Sequence, residues 1–284
     1  MNKILVTGAS GNIGTQLIQN LKSQDANFEI MRSKASSEGA ARIASYTDVA
    51  SLKTAFAGID TLFVLLPLVP DKLQLARNVA EAAKAVGVKH IVRSSGAGAD
   101  PNAGFALPRL QGTIDQVFED TSIACTFLRP AGFMQNYSGY MAGMVKNGTV
   151  YGATADALQS LIDVRDIAAV AAAVLAKPSA HAGQSYTLTG GEALTDSQRI
   201  QIFRDVLGRH LDFVAISPEA SRASMAQMGM PESVIEWLTS LDALVSAGYA
   251  SAISPDVQTI LGRAPIGFRQ FVEDFQEVWY SPTA

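Results

Sequence analysis

Short runs of β-branched and apolar residues alternate along the chain with longer segments whose apolar residues recur every three or four positions. Residues 4–7 form the first run, and Ile13, Leu17, Ile18 and Leu21 then keep helical spacing. A second run covers 28–31. A helix-like stretch over 51–57, a strand over 61–66, a helix over 72–86 and a strand over 90–93 follow. Residues 62–66 are apolar without alternation, as befits a strand covered on both faces. This order predicts a parallel sheet with right-handed crossovers, and so a doubly wound α/β fold.

A helix over 110–118 and a strand over 123–128 extend the pattern, which loosens after Gly132. Residues 131–160 hold four Tyr or Phe, three Met and five Gly, and read as a lid or pocket wall rather than sheet. An apolar helix over 162–176 should dock back on the sheet, with another strand at 186–189. From Thr195 onward helices dominate, around a short strand at 212–216, with Pro218, Pro231 and Pro265 as breaks.

Composition narrows the function classes. The 284 residues are 48% hydrophobic and 17% charged, enough to bury a sizeable core. With 22 basic against 26 acidic residues the net charge is −4, and no basic run occurs, which disfavours nucleic acid and anionic membranes as partners. The longest apolar stretches, 61–69 and 167–176, fall short of the roughly 20 residues a membrane span needs. The lone Cys125 has no disulfide partner, and the first strand begins too early to leave room for a signal peptide, so a cytoplasmic location is expected. His90, His181 and His210 are far apart in sequence, so no metal is expected. Neither repeats nor low-complexity tracts are present.

Thr7-Gly8-Ala9-Ser10-Gly11-Asn12-Ile13-Gly14 links the first strand to the first helix, which is the setting of a dinucleotide fingerprint. Gly8 permits a tight turn, Gly11 lets the backbone approach a pyrophosphate, and Gly14 lets the helix pack closely. The second strand ends Met31-Arg32-Ser33-Lys34, with no acidic residue to hold a ribose 2′-OH. Arg32, supported by Ser33 and Lys34, can meet a 2′-phosphate, so NADP(H) is favoured, with NADPH preferred over NADH; otherwise Arg32 and Lys34 only solvate a loop. The expected organisation is a Rossmann-type NADP(H)-binding domain over 1–150, rejoined by 161–190, with a smaller, mainly helical substrate or lid subdomain over 191–284.

The glycine spacing resembles the T-G-x-x-G-x-x-G of the short-chain dehydrogenase/reductase superfamily. That superfamily's proton donor is a Tyr with a Lys four residues on, and none of the seven tyrosines here has that lysine. Several segments resemble the NmrA-like atypical branch, which includes quinone oxidoreductases, triphenylmethane dye reductases and azoreductases. They are residues 7–14, His90-Ile91-Val92-Arg93-Ser94-Ser95-Gly96, Thr126-Phe127-Leu128-Arg129-Pro130 with Phe133-Met134-Gln135-Asn136, Ile162-Asp163-Val164-Arg165-Asp166, residues 186–190, and Gly262-Arg263-Ala264-Pro265. Where relatives often carry a His, this chain has Gln111; where many have an Asp after the third strand, it has Ser45.

The resemblance implies that Leu66 and Pro67 line the cofactor ribose, that Ser94, Ser95 and Gly96 pass beneath the nicotinamide, and that Pro130 and Phe133 hold its far side. The superfamily's catalytic serine falls on Ser95 or Gly96, and Gln111 is the other candidate in the catalytic region. Blander readings stay open: Ser94 and Ser95 capping a turn, Pro130 ending a strand, Phe133 and Met134 as core. Phe133, Asn136, Tyr137, Tyr140 and Met144 are the expected substrate-pocket residues. Without a partnered tyrosine, an electron-poor acceptor suits the site best: a quinone, or an azo or cationic dye, in any case a small aromatic or conjugated molecule. The alternative is a non-catalytic NADP(H)-binding redox sensor acting through a protein partner. The chain is expected to be a monomer or homodimer.

Overall fold

The computed structural model describes residues 2–34 and 41–280. Strand β1 (Ile4–Val6) leads through the glycine loop to helix α1 (Asn12–Ser23), then β2 (Phe28–Arg32), β3 (Arg42–Ile43), α2 (Val49–Phe56), β4 (Thr61–Val64), α3 (Lys72–Val86), β5 (His90–Ser94), α4 (Ala106–Glu119) and β6 (Ala124–Pro130). There follow α5 (Ala142–Lys146), β7 (Thr149–Gly152), α6 (Val164–Ala176), β8 (Ser185–Leu188), α7 (Asp196–Leu207), β9 (Asp212–Ala215), α8 (Pro218–Gln227), α9 (Glu232–Ser246), α10 (Asp256–Leu261) and α11 (Phe268–Asp274).

The main sheet has the order β3-β2-β1-β4-β5-β6-β8, with the chain reversing its direction of travel beside β1. The β2–β3, β1–β2, β1–β4, β4–β5 and β5–β6 pairs are parallel. This is the Rossmann-like doubly wound α/β fold expected from the alternation of elements. Leu5, Leu62, Val64, Ile91 and Phe127 pack with apolar side chains of α2, α3 and α4. Helix α6 is buried along its length from Ile167 to Leu175, and the Asn2 side chain donates to the Leu175 carbonyl at 3.1 Å. Local chemistry sets the ends: Asp48 caps α2 through the Ala50 and Ser51 amides, Gly87 ends α3 with φ 77°, and Thr195 and Gln198 form a capping box on α7.

Two compact units result. One comprises Met1–Gly104, Pro108–Pro130 and Ile167–Thr187; the other comprises Phe105–Leu107, Ala131–Asp166 and Leu188–Ala284. Residues 131–150 therefore cluster with the C-terminal unit, not with the first domain as the sequence reading drew it. The reason is β7, which pairs in parallel with β9 in a separate two-stranded sheet, Thr149 opposite Asp212. The reading of 131–160 as free of sheet is corrected by the same pair. Only Val150 of β7 is buried, so the run carries no apolar signature, and its partner lies sixty residues on. The core of this unit is aromatic: Phe203 and Trp279 meet edge to face at 4.9 Å between ring centroids, with Phe268, Phe271 and Tyr137 around them.

Candidate functional site

At the end of β1, Thr7 is fully buried. Its amide donates to the Phe63 carbonyl at 3.0 Å and its Oγ1 accepts from the Leu65 amide at 3.0 Å, tying the carboxyl ends of β1 and β4 together. The chain turns at Gly8 with φ +67°, where a Cβ would lie 2.9 Å from the Leu65 side chain. A Cβ at Gly14 would lie 2.2 Å from the Gly8 carbonyl oxygen, so the first turn of α1 rests directly on the loop. Gly11 differs. Its Cβ would meet nothing nearer than that oxygen at 3.5 Å, and Ser10, Gly11 and Asn12 are exposed while Ile13 is buried. Gly11 is also the N-cap of α1, with no side-chain cap. An open stretch of backbone thus faces uncapped first-turn amides and the positive end of a helix dipole, a set that fits a pyrophosphate.

Arg32 closes β2 and is half-buried, its carbonyl accepting from the Ala44 amide at 3.0 Å; Ser33 and Lys34 are exposed. The one acid on the strand, Glu29, is held by Lys3 and Arg42 and is not at the strand end. Beyond β4, Leu66 is buried and Pro67 exposed. Lys72 then opens α3 only 6% exposed. Burial, with the Arg93 charge nearby, pushes its ammonium down to about 7.

Arg93 and Ser95 at the end of β5, and Arg129 on β6, all reach α4, where Gln111 and Asp115 stand one turn apart. Asp115, 2% exposed, accepts from Arg93 on Oδ1. Its Oδ2 accepts from the Ser95 hydroxyl at 3.0 Å and from Arg129 at 3.1 and 3.3 Å. The Gln111 Oε1 accepts from Arg93, and a Cβ at Gly96 would touch the Gln111 side chain at 3.4 Å. The ladder continues outward through the Ser95 amide to the Leu128 carbonyl at 2.7 Å and the Ala97 amide to the Pro130 carbonyl at 2.9 Å, while Ser94 is buried. Ser95 and Gln111 are candidates from the sequence; Arg93, Asp115 and Arg129 emerge only from the structure. The sequence carries only part of the signal: Arg93 lies in a fully buried strand and so must find an anion, but nothing in the pattern singles out Asp115 as that anion.

In the second unit, the expected pocket residues differ in their exposure. Phe133 is half-buried and bridges to Ile162, while Asn136 and Met144 are half-buried and Tyr140 is 76% exposed. Tyr137 is 3% exposed and belongs to the aromatic core. Its hydroxyl accepts from Arg199 at 3.0 Å and donates to Asp196 at 3.1 Å, so Tyr137, expected in the substrate pocket, is a core residue. A buried ion pair claims the phenol, and burial pushes it well above its ordinary range. The motif residues nearby are structural: Asp163 holds Arg165 and the Gln135 amide, and Gln135 Oε1 accepts from the Val164 amide at the start of α6. His90 and His181, distant in sequence, are joined through the Thr126 hydroxyl, which sits 2.9 Å from His90 Nε2 and donates to the His181 carbonyl at 2.7 Å.

A model of the NmrA-like family matches residues 1–259. The chain belongs to the NmrA-like family. It groups there with the NAD(P)-binding Rossmann oxidoreductases. Over 277 residues it is 34% identical to an NAD(P)H azoreductase of Xenophilus azovorans, covering 95% of this chain and 96% of that protein. Over 286 residues it is 31% identical to a (4-alkanoyl-5-oxo-2,5-dihydrofuran-3-yl)methyl phosphate reductase of Streptomyces griseus, covering 97% and 99%. Among solved structures it is similar to the NADPH complex of an NADPH-dependent quinone oxidoreductase of Escherichia coli, with a TM-score of 0.85 at 25% identity over 98% of this chain and all of that one. Among the described residues no helix is long and apolar enough to cross a membrane.

Proposed function

We propose that the chain is an NADPH-dependent reductase of a small, electron-poor, conjugated acceptor, a quinone or an azo or cationic dye. The observation that carries this reading is the state of the strand-end serine. The Ser95 hydroxyl donates its only hydrogen bond to Asp115, and Gln111 has no titratable proton near neutrality. A site so arranged suits an acceptor whose reduced oxygen has a pKa near 10, such as a quinone, and not one that yields an alkoxide needing a strong acid. The relatives named for azo compounds and quinones support the same class of acceptor.

When bound, the reduced nicotinamide supplies the hydride. Gly8, Ser10, Gly11, Asn12, Ile13 and Gly14 would hold the pyrophosphate. Arg32, with Ser33 and Lys34, would hold the 2′-phosphate, which is the basis for preferring NADPH. Leu66 and Pro67 would line the ribose, and Ser94, Ser95, Gly96 and Pro130 the nicotinamide end. In the second unit Phe133, Asn136 and Met144 stay proposed as acceptor-side residues. The test follows loss of NADPH absorbance with a panel of quinones, azo dyes, cationic dyes, aldehydes and imines. Turnover is expected with quinones or dyes; turnover confined to simple aldehydes would overturn the reading.

A further inference from the structure

The carboxylate at the centre of the buried cluster sets which way the Ser95 hydroxyl points. Asp115 is an acceptor only, so the hydrogen bond from Ser95 Oγ at 3.0 Å has one possible direction: the serine donates. Two further groups keep the carboxylate in place. Arg93, 1% exposed on β5, takes Oδ1, and Arg129 on β6 reaches Oδ2 from the other side. Asp115 itself is anchored on α4, so three elements fix the position of one hydroxyl rotor. Ser95 is then left with lone pairs only.

We propose that Asp115 is a positioning residue that turns Ser95 into an obligate hydrogen-bond acceptor, set to take an N–H or O–H of the nicotinamide half of the bound dinucleotide, its carboxamide or its ribose hydroxyls. This rests on the reading that the nicotinamide end lies over the carboxyl end of β5. The chemistry is that of a charge-assisted relay: the serine's proton faces a carboxylate, which enriches the electron density on its oxygen and makes it a better acceptor. The serine at this place in the sheet therefore orients the cofactor and supplies no proton to the acceptor.

The test is a double-mutant cycle read by NADPH binding in the absence of any acceptor, by calorimetry or cofactor fluorescence. Ser95→Ala and Asp115→Asn should each weaken NADPH binding about tenfold, and the double variant should be no weaker than the worse single one. Asp115→Glu, which keeps the carboxylate, should restore most of the loss. Losses that multiply in the double variant, or an unchanged affinity in Ser95→Ala, would overturn the proposal. Because Asp115→Asn leaves two arginines without their anion and risks unfolding, a second measurement uses the unaltered chain. Serine-labelled protein should show a slowly exchanging hydroxyl proton that disappears in Ser95→Ala and persists when NADPH is added; a Ser95 hydroxyl exchanging freely with solvent defeats the proposal. Failure of the reductase reading looks different: NADPH binds with the coupling intact, yet no acceptor in the panel is reduced.

Discussion

Lys72 shows what a single buried charge does to this fold. Its ammonium is pushed from 10.5 to about 7 by burial first and by Arg93 second. At about 1.4 kcal/mol per pH unit that shift is a penalty of a few kcal/mol on the folded state. The sign follows from the depressed value: between about 7 and 10.5 the unfolded chain binds the proton more tightly, so stability rises with pH through that window and the full penalty applies below it. Lys72→Met should therefore raise the thermal midpoint at pH 7 by roughly 5 °C and lose most of that advantage by pH 10. A lower midpoint at pH 7 would show that the ammonium has favourable partners that outweigh its desolvation. Arg32 is the opposite case, a cation at a strand end where an anion is expected. Arg32→Ala should cost NADPH roughly 1.5 to 3 kcal/mol of binding and leave NADH nearly unchanged. Equal losses for both cofactors in a calorimetric titration would remove the 2′-phosphate assignment.

At the scale of elements, the first βα unit separates two roles that the sequence motif merges. Gly11 and Gly14 look alike in T-G-x-x-G-x-x-G, yet a Cβ at Gly14 would strike the Gly8 backbone at 2.2 Å while one at Gly11 stands at ordinary contact distance. Gly14→Val should then damage folding itself, whereas Gly11→Val should leave the circular dichroism native and abolish NADPH binding, because the added bulk occupies only the open backbone surface. A Gly11→Val chain that binds NADPH normally would show that the loop does not face the pyrophosphate. The elements themselves were legible wherever periodicity was strong. The buried runs at 4–6, 61–64 and 90–94 read directly as parallel strands, and α1 and α3 read from their apolar spacing. Legibility failed where burial was slight: β7 offers one buried valine, and α4 begins at Ala106, ahead of the expected 110, with Pro108 tolerated in its first turn.

For the whole molecule, the glycine loop, Arg32 and the serines of β5 were legible because each is specified locally, by a turn, a strand end or a motif. The cluster around Asp115 was not, since it assembles from β5, β6 and α4 and shows itself only when those elements are packed. Tyr137 misled for the same reason: an aromatic in a loose segment resembles a pocket wall until Asp196 and Arg199, about sixty residues away in sequence, take its hydroxyl. The packed cluster also sharpens the expectation for catalysis. Because the Ser95 hydroxyl donates its hydrogen bond to Asp115 and Gln111 Oε1 accepts from Arg93, neither Ser95 nor Gln111 is placed to act as a general acid toward the acceptor. Ser95→Ala or Gln111→Ala should thus lower kcat on a quinone by on the order of tenfold at saturating NADPH, and not by the 10² to 10⁴ that loss of a general acid costs. The ratio of each variant's rate to that of the unaltered chain on the same quinone should stay nearly flat from about pH 6 to 8, a range in which neither side chain titrates. A thousandfold fall in either variant with NADPH affinity retained would reveal a working acid at this position, and with it a site able to reduce ordinary ketones and aldehydes.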